Sequence, residues 1–248
     1  MRFTGQSVLI VGGASGLGAA AARAFAGEGA DLVLVDRDGA AAERVAAGLS
    51  RARAVQGDAA DPATAAAALA LAAPDILFHA AGIDPASAGD VPGTSLADWQ
   101  AILSVNLTSA FLFARAVLPG MIAQRRGCLL FTGSIAGIRP TPQEAAYAVS
   151  KAGVIQLARA IALDHARDGI RANALCPGFL EAVMADRRAT MSAADLAERS
   201  RLAGARVPMG REGGYAETAQ LVLALCDDAV SGYVTGQAVV ADGGVLLA

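Results

Sequence analysis

Lysine is almost absent from this chain. Twenty of the 248 residues are Lys or Arg, and Lys151 is the one lysine, so the remaining nineteen are arginine. Where a solvated cation suffices, either residue serves. Lysine is kept where a compact ammonium on a slim stem is needed and a planar fork does not fit. Charge of either sign is also scarce, at 17% of residues with a net charge of −3. That gives no electrostatic basis for binding nucleic acid or an anionic membrane. Cysteine is sparse: Cys128, Cys176 and Cys226 are far apart in sequence, form no C-x-x-C pair and make no cluster with His79 or His165. They are expected to be buried reduced thiols of a cytoplasmic protein, with no metal site. No stretch approaches the ~18 apolar residues of a membrane span. The segment MRFTGQSVLIVGG has a four-residue apolar run before its glycines, too short for a signal peptide.

What is present is alternation. Short apolar runs at Ser7–Val11, Asp31–Val35, Ala52–Val55, Ile76–His79, Cys128–Thr132, Arg171–Leu175 and Ala238–Ala241 are separated by alanine-rich helical stretches. The helices are expected near Leu17–Gly27, Gly39–Leu49, Ala63–Ala72, Leu96–Arg125, Tyr147–Arg167 and Tyr215–Cys226. Continuous apolar strands between alanine-heavy helices predict βαβ units around a parallel sheet covered on both faces. No linker composition divides the chain, so residues 1–248 are expected to form one domain. Glu181–Arg211 fits the alternation least well and follows the sixth strand, which suggests a helical substrate lid over the strand ends.

Three sequence features carry chemistry. Gly12, Gly16 and Gly18 follow the first strand and open a helix. Glycine permits a tight turn and close approach to a pyrophosphate, which the free N–H groups of a helix start attract. Asp36 ends the second strand eighteen residues after Gly18. A carboxylate there accepts hydrogen bonds from ribose hydroxyls and repels a 2′-phosphate, which favours NAD over NADP; Arg37 is the one adjacent counter-signal. Asp58 is placed to cap a helix or contact adenine, and Asp61 before Pro62 is the more natural cap. Tyr147 and Lys151 are four apart at the start of a helix, on one face. Ser134 ends the fifth strand, at the crevice where ligands of open parallel sheets bind. A phenol is a poor base at neutral pH, since its free pKa is about 10, and a nearby ammonium favours the phenolate.

These residues together resemble a short-chain dehydrogenase/reductase of the single-domain branch. The resemblance spans Val8 to Gly244 and rests on the glycine loop, Asp36, His79-Ala80-Ala81-Gly82, Asn106, Ser134, Tyr147 with Lys151, Asn173, Pro177-Gly178, Gly236-Gln237 and Asp242-Gly243-Gly244. It implies an α/β, doubly wound Rossmann-type sheet of seven parallel strands, assembled as a homotetramer. It further implies that Tyr147 is the general acid/base, that Ser134 orients the substrate oxygen, and that Lys151 lowers the Tyr147 pKa and holds the nicotinamide ribose. Asn106 would position a water that relays protons to Lys151. Cofactor contacts are implied at Gly12, Ser15, Gly16, Leu17 and Gly18, at Asp36, Asp58 and Ala59, at Ala80 and Gly82, and at Pro177, Gly178 and Leu180. Two positions depart from the family pattern. Ala80 stands where the family usually has Asn, and Ala182 where many relatives have a Thr that bonds the carboxamide.

The expected activity is NAD-dependent interconversion of a secondary alcohol and its ketone, on a small neutral alcohol, polyol or cyclic substrate. The alternatives are a 3-oxoacyl thioester reductase, which Asp36 disfavours, and a non-catalytic NAD(H)-binding sensor or regulator.

Overall fold

The computed structural model describes residues 1–84, 89–181 and 192–248. Seven strands form one parallel sheet: β1 (Ser7–Val11), β2 (Asp31–Asp36), β3 (Ala52–Gln56), β4 (Ile76–His79), β5 (Gly127–Thr132), β6 (Ile170–Pro177) and β7 (Ala238–Ala241), in the order β3-β2-β1-β4-β5-β6-β7. The helices of eight or more residues are α1 (Gly16–Gly27), α2 (Gly39–Ala47), α3 (Pro62–Leu69), α4 (Leu96–Leu103), α5 (Ser109–Gln124), α6 (Ala145–His165), α7 (Ala193–Ala205) and α8 (Tyr215–Cys226).

Side chains alternate across a strand, so each strand feeds both faces. On β1, Leu9 and Val11 join one core with Phe113, Val117, Val154 and Ile161, while Val8 and Ile10 join the other with Phe25, Ala219 and Val222. Both faces are therefore apolar, and that is why the strands read as unbroken hydrophobic runs. β1 pairs with β2 on one side and β4 on the other. The chain thus reverses its direction of winding between β1 and β4, and a crevice opens at their C-terminal ends.

Two expectations are revised. The long middle helix is not one α-helix: α4 and α5 are joined by a π-turn over Ser104–Thr108, and Arg125 ends α5 in the left-handed region at φ 52°. The run Leu96–Gln124 also contains an 18-residue window of mean hydropathy 1.7 and is, by length and composition, long and apolar enough to cross a membrane. Its Ala110, Phe113, Ala114, Val117 and Met121 are nevertheless packed on the sheet, as in the core helix of a globular fold. The cysteines are as expected, and Cys128 and Cys226, distant in sequence, share one core cluster, with Arg171 donating to the Cys128 Sγ at 3.5 Å. All three cysteines are free and buried. Of the expected lid, α7 is a helix opened by a Ser192–Asp195 capping box. Residues 182–191, including Ala182, lie outside the described residues.

Candidate active site

The crevice begins at the glycine loop. Gly12 sits at φ +80°, and a Cβ there would lie 2.7 Å from the Ala81 backbone nitrogen. At Gly18 a Cβ would lie 1.9 Å from the Gly12 oxygen. The β1–α1 turn is thus packed backbone to backbone against its own start and against the segment after β4, which only glycine allows. Ser15 caps α1 in extended conformation without a side-chain bond to the first turn. The N–H groups of Gly16, Leu17 and Gly18 therefore meet no capping side chain, as an anion-binding helix start requires. Next to them, Asp36 accepts from the Ala14 N–H at 3.0 Å and from the Asp38 N–H at 3.1 Å. The carboxylate anticipated at the ribose position also braces the loop. Asp58 is exposed, with its carboxylate accepting from Ala60 beside Ala59. Asp61, with Pro62 behind it, is the cap of α3. Ala80 donates its N–H to Val11, holding the segment toward Gly82 against β1. These residues fit a dinucleotide: open helix-start donors, a turn no side chain obstructs and a strand-end carboxylate.

At the other end of the crevice stand Ser134, Tyr147, Lys151 and Asn106. Ser134 leaves β5 and opens a short 3₁₀ turn, Ile135–Gly137, accepting from the Ala136 N–H at 3.1 Å. A Cβ on Gly137 would lie 2.7 Å from the Lys151 carbonyl carbon. That close approach seats the serine turn on the backbone of α6. Tyr147 is half-buried in the first turns of α6. Lys151 is 2% exposed, with Nζ 5.6 Å from the Tyr147 ring centroid and donating to the Thr132 carbonyl at 2.8 Å. Burial pushes its pKa down to about 8, against the opposing charges of Cys176 and Asp84. The lone lysine of the sequence is thus a buried amine beneath the tyrosine.

Asn106 is fully buried in the π-turn. Its Oδ1 accepts from the Ile83 N–H at 2.7 Å, and its Nδ2 donates to the Ile83 carbonyl and to the Ser150 Oγ, both at 3.0 Å. Both amide hydrogens are therefore spent within the protein. The side chain locks the segment after β4 to α6. Ser150 completes the link by donating to the Tyr147 carbonyl at 2.7 Å. Nothing in the sequence marked Ser150, because a helical serine is unremarkable without its partners.

Beyond Pro177, Gly178 donates to Ala241, and a Cβ on it would lie 2.8 Å from the Asp242 Cα. Leu180 bridges to Gly213. Asn173, fully buried, holds the entry to β7 through Val234 and Gln237, so its task is architectural. A cavity of about 410 Å³ opens between α7 and the start of α6, lined by Glu144, Phe179, Asp195, Glu198 and Arg206 among others. Arg206 lies 5.1 Å over the Phe179 ring. His165 pairs with Asp168 at the end of α6, away from this constellation, as its place in the last helical turn suggests. Among the described residues no cluster of His, Cys, Asp or Glu is fit to hold a metal.

Comparison with known proteins agrees with this geometry. A family profile described as enoyl-(acyl carrier protein) reductase matches residues 12–246. The chain is 36% identical to 2-(S)-hydroxypropyl-CoM dehydrogenase 3 of Xanthobacter autotrophicus, over 98% of each chain. It is 38% identical to galactitol 2-dehydrogenase (L-tagatose-forming) of Cereibacter sphaeroides, over 98% of this chain and 96% of that one. A solved 3-oxoacyl-[acyl-carrier protein] reductase with bound NAD from Brucella melitensis superposes with a TM-score of 0.87 at 30% identity, over 100% of this chain and 93% of that one. Glycine loop, Ser134, Tyr147 and Lys151 stand on one doubly wound sheet with relatives matched over nearly the whole length, and the chain belongs to the short-chain dehydrogenase/reductase family of oxidoreductases.

Proposed function

We propose that the protein is an NAD-dependent oxidoreductase that interconverts a small neutral secondary alcohol, polyol or cyclic alcohol and its ketone. The observation that carries this reading is the buried Lys151 amine beneath Tyr147, with Ser134 seated on the same helix through Gly137. When bound, a nicotinamide dinucleotide supplies the hydride acceptor for oxidation and the donor for reduction. Gly12 through Gly18 would hold its pyrophosphate, Asp36 its adenosine ribose, and Lys151 its nicotinamide ribose. In oxidation, the alcohol proton passes to the Tyr147 oxygen; in reduction, Tyr147 returns a proton to the carbonyl oxygen. Ser134 donates to that same substrate oxygen and fixes its direction. The Lys151 charge favours the phenolate form of Tyr147.

Preference for NAD is supported by Asp36, whose carboxylate is fixed beside the glycine loop where a 2′-phosphate would meet its charge. A neutral substrate is supported by the cavity, whose lining sets three carboxylates, Glu144, Asp195 and Glu198, against one guanidinium, Arg206. Hydrogen bonds from Ser192 keep the Asp195 carboxyl below its usual range, and Arg201 does the same for Glu198, so both stay charged. The relatives named as a galactitol dehydrogenase and a hydroxypropyl-CoM dehydrogenase favour a secondary alcohol as the substrate. The second reading, reduction of a 3-oxoacyl thioester, has the named reductase with bound NAD in its favour and is disfavoured by Asp36 at the ribose position. We place the protein in the cytoplasm and propose a homotetramer.

Absorbance of NADH against a ketone panel, with NAD and NADP compared on alcohols, tests the reading. NAD is expected to be favoured at least about tenfold in kcat/KM. Equal use, or preference for NADP, refutes the role given to Asp36. Tyr147→Phe is expected to fold and bind NADH while losing at least about 100-fold in kcat. Wild-type turnover in that variant would end the mechanism.

A further inference from the structure

His79 ends β4 where it meets the middle of the α4–α5 run, and it is 2% exposed. Its Nε2 lies 2.8 Å from the Ser109 Oγ. Ser109 is the first residue after the π-turn, and its backbone N–H bonds to the Ser104 carbonyl, five residues back. In a regular α-helix that N–H would bond to Val105, four residues back. Here the Ser109 hydroxyl takes the bond to the Val105 carbonyl instead. With that proton committed, the Ser109 oxygen accepts from His79, which fixes the ring as the tautomer protonated on Nε2. The ring is neutral, because burial and then the Lys151 charge push its pKa down to about 3. Phe113 and Phe131 flank it at 6.3 and 6.4 Å between centroids.

A one-turn π insertion is less favourable than continuous α-helix and persists where side chains compensate. Within this π-turn lies Asn106, which locks the segment after β4 and, through Ser150, the Tyr147 carbonyl. We propose that His79 is a positioning residue for the reaction: by donating to Ser109 it holds the hydroxyl that props the π-turn, and so it fixes Asn106 and the Tyr147 end of α6. The proposal rests on the Tyr147/Lys151 reading given above. It assigns His79 and Ser109 a task in catalysis although neither faces the crevice.

The test uses full-length His79→Phe, His79→Gln and Ser109→Ala proteins, the double variant His79→Phe/Ser109→Ala, and Tyr147→Phe as control. Phe keeps the ring volume without the donor; Gln restores an N–H near the position of Nε2. Measured are kcat and KM on the best alcohol from the panel, NADH affinity by fluorescence titration, and amide exchange across residues 102–110. His79→Phe is expected to speed exchange in that segment and lower kcat about tenfold to a hundredfold, the scale of a misplacement of about an ångström, with NADH affinity unchanged. Gln is expected to recover most of the loss. The double variant is expected to be no worse than Ser109→Ala, since the two residues act as one unit. Unchanged kcat in a folded His79→Phe protein, whatever the exchange, overturns the proposal; so does additive loss in the double variant. If Tyr147→Phe keeps full turnover, the underlying mechanism fails and the positioning role falls with it. Lost turnover in Tyr147→Phe beside normal His79→Phe refutes the positioning role alone.

Discussion

Lys151 holds a cation where burial makes one costly. With its pKa near 8, the folded protein releases the Lys151 proton at lower pH than the unfolded chain, whose lysine titrates near its ordinary 10.5. Between these values the unfolded chain binds more protons, so folding gains stability as pH rises through the window. Below pH 8 the whole cost of the buried charge is present, on the order of 3 kcal/mol. Lys151→Met is therefore expected to stabilise the cofactor-free protein by roughly 1–3 kcal/mol at pH 7, a gain that fades toward pH 10, while abolishing turnover. Denaturant melts at the two pH values check it, and a variant less stable at pH 7 than wild type contradicts the burial argument. Lys151→Arg keeps the net charge but brings a fork into the space beside the Thr132 carbonyl. It is expected to weaken NADH binding and lower kcat together. Arginine behaving as lysine would make the single lysine an accident of composition.

The serine turn and α6 act as one element because of Gly137. An added Cβ meets the Lys151 backbone at 2.7 Å, so Gly137→Ala must push the Ser134 turn away from α6. Overpacking of this kind costs about 1–3 kcal/mol. The expected result is a lower Tm and a kcat loss larger than that from a methyl group at Gly120, where nothing lies within 4 Å. Equal kcat in the two variants would mean that the turn tolerates displacement. The strands were legible in the sequence to within about two residues because a sheet buried on both faces leaves continuous apolar runs. β6 extends two residues past its expected end at Leu175, since Cys176 and Pro177 still pair with Val240 and Ala241. The proposed catalytic pair was legible as spacing, Tyr147 to Lys151 on one helical face. The π-turn was not, because one extra residue in a turn leaves hydrophobic periodicity nearly intact. For the same reason the sequence carried no sign of the His79–Ser109 contact or of the Asn106 amide's partners, which depend on where β4 ends against α5.

At the scale of the whole molecule, several apolar side chains have no cover. Phe111 on α5 is 47% exposed, and on α6 Val149 and Leu163 are 48% and 84% exposed. Large apolar groups left open on packed helices favour association between copies. Sedimentation is expected to give the mass of four chains, and Leu163→Asp to shift it toward smaller species. A monomer at micromolar concentration would refute the homotetramer. The choice of method matters here. Amine-directed cross-linkers join subunits through exposed lysines, and this chain has one ε-amine, buried beneath Tyr147. Such reagents are left with the α-amine, one point per subunit, so acid- or arginine-directed chemistry is better suited to trap the assembly. The same scarcity leaves an acylating dye two amines, the α-amine and the Lys151 ε-amine: uptake mapped to Lys151 by peptide digestion counts open crevices, and NADH is expected to shield that amine.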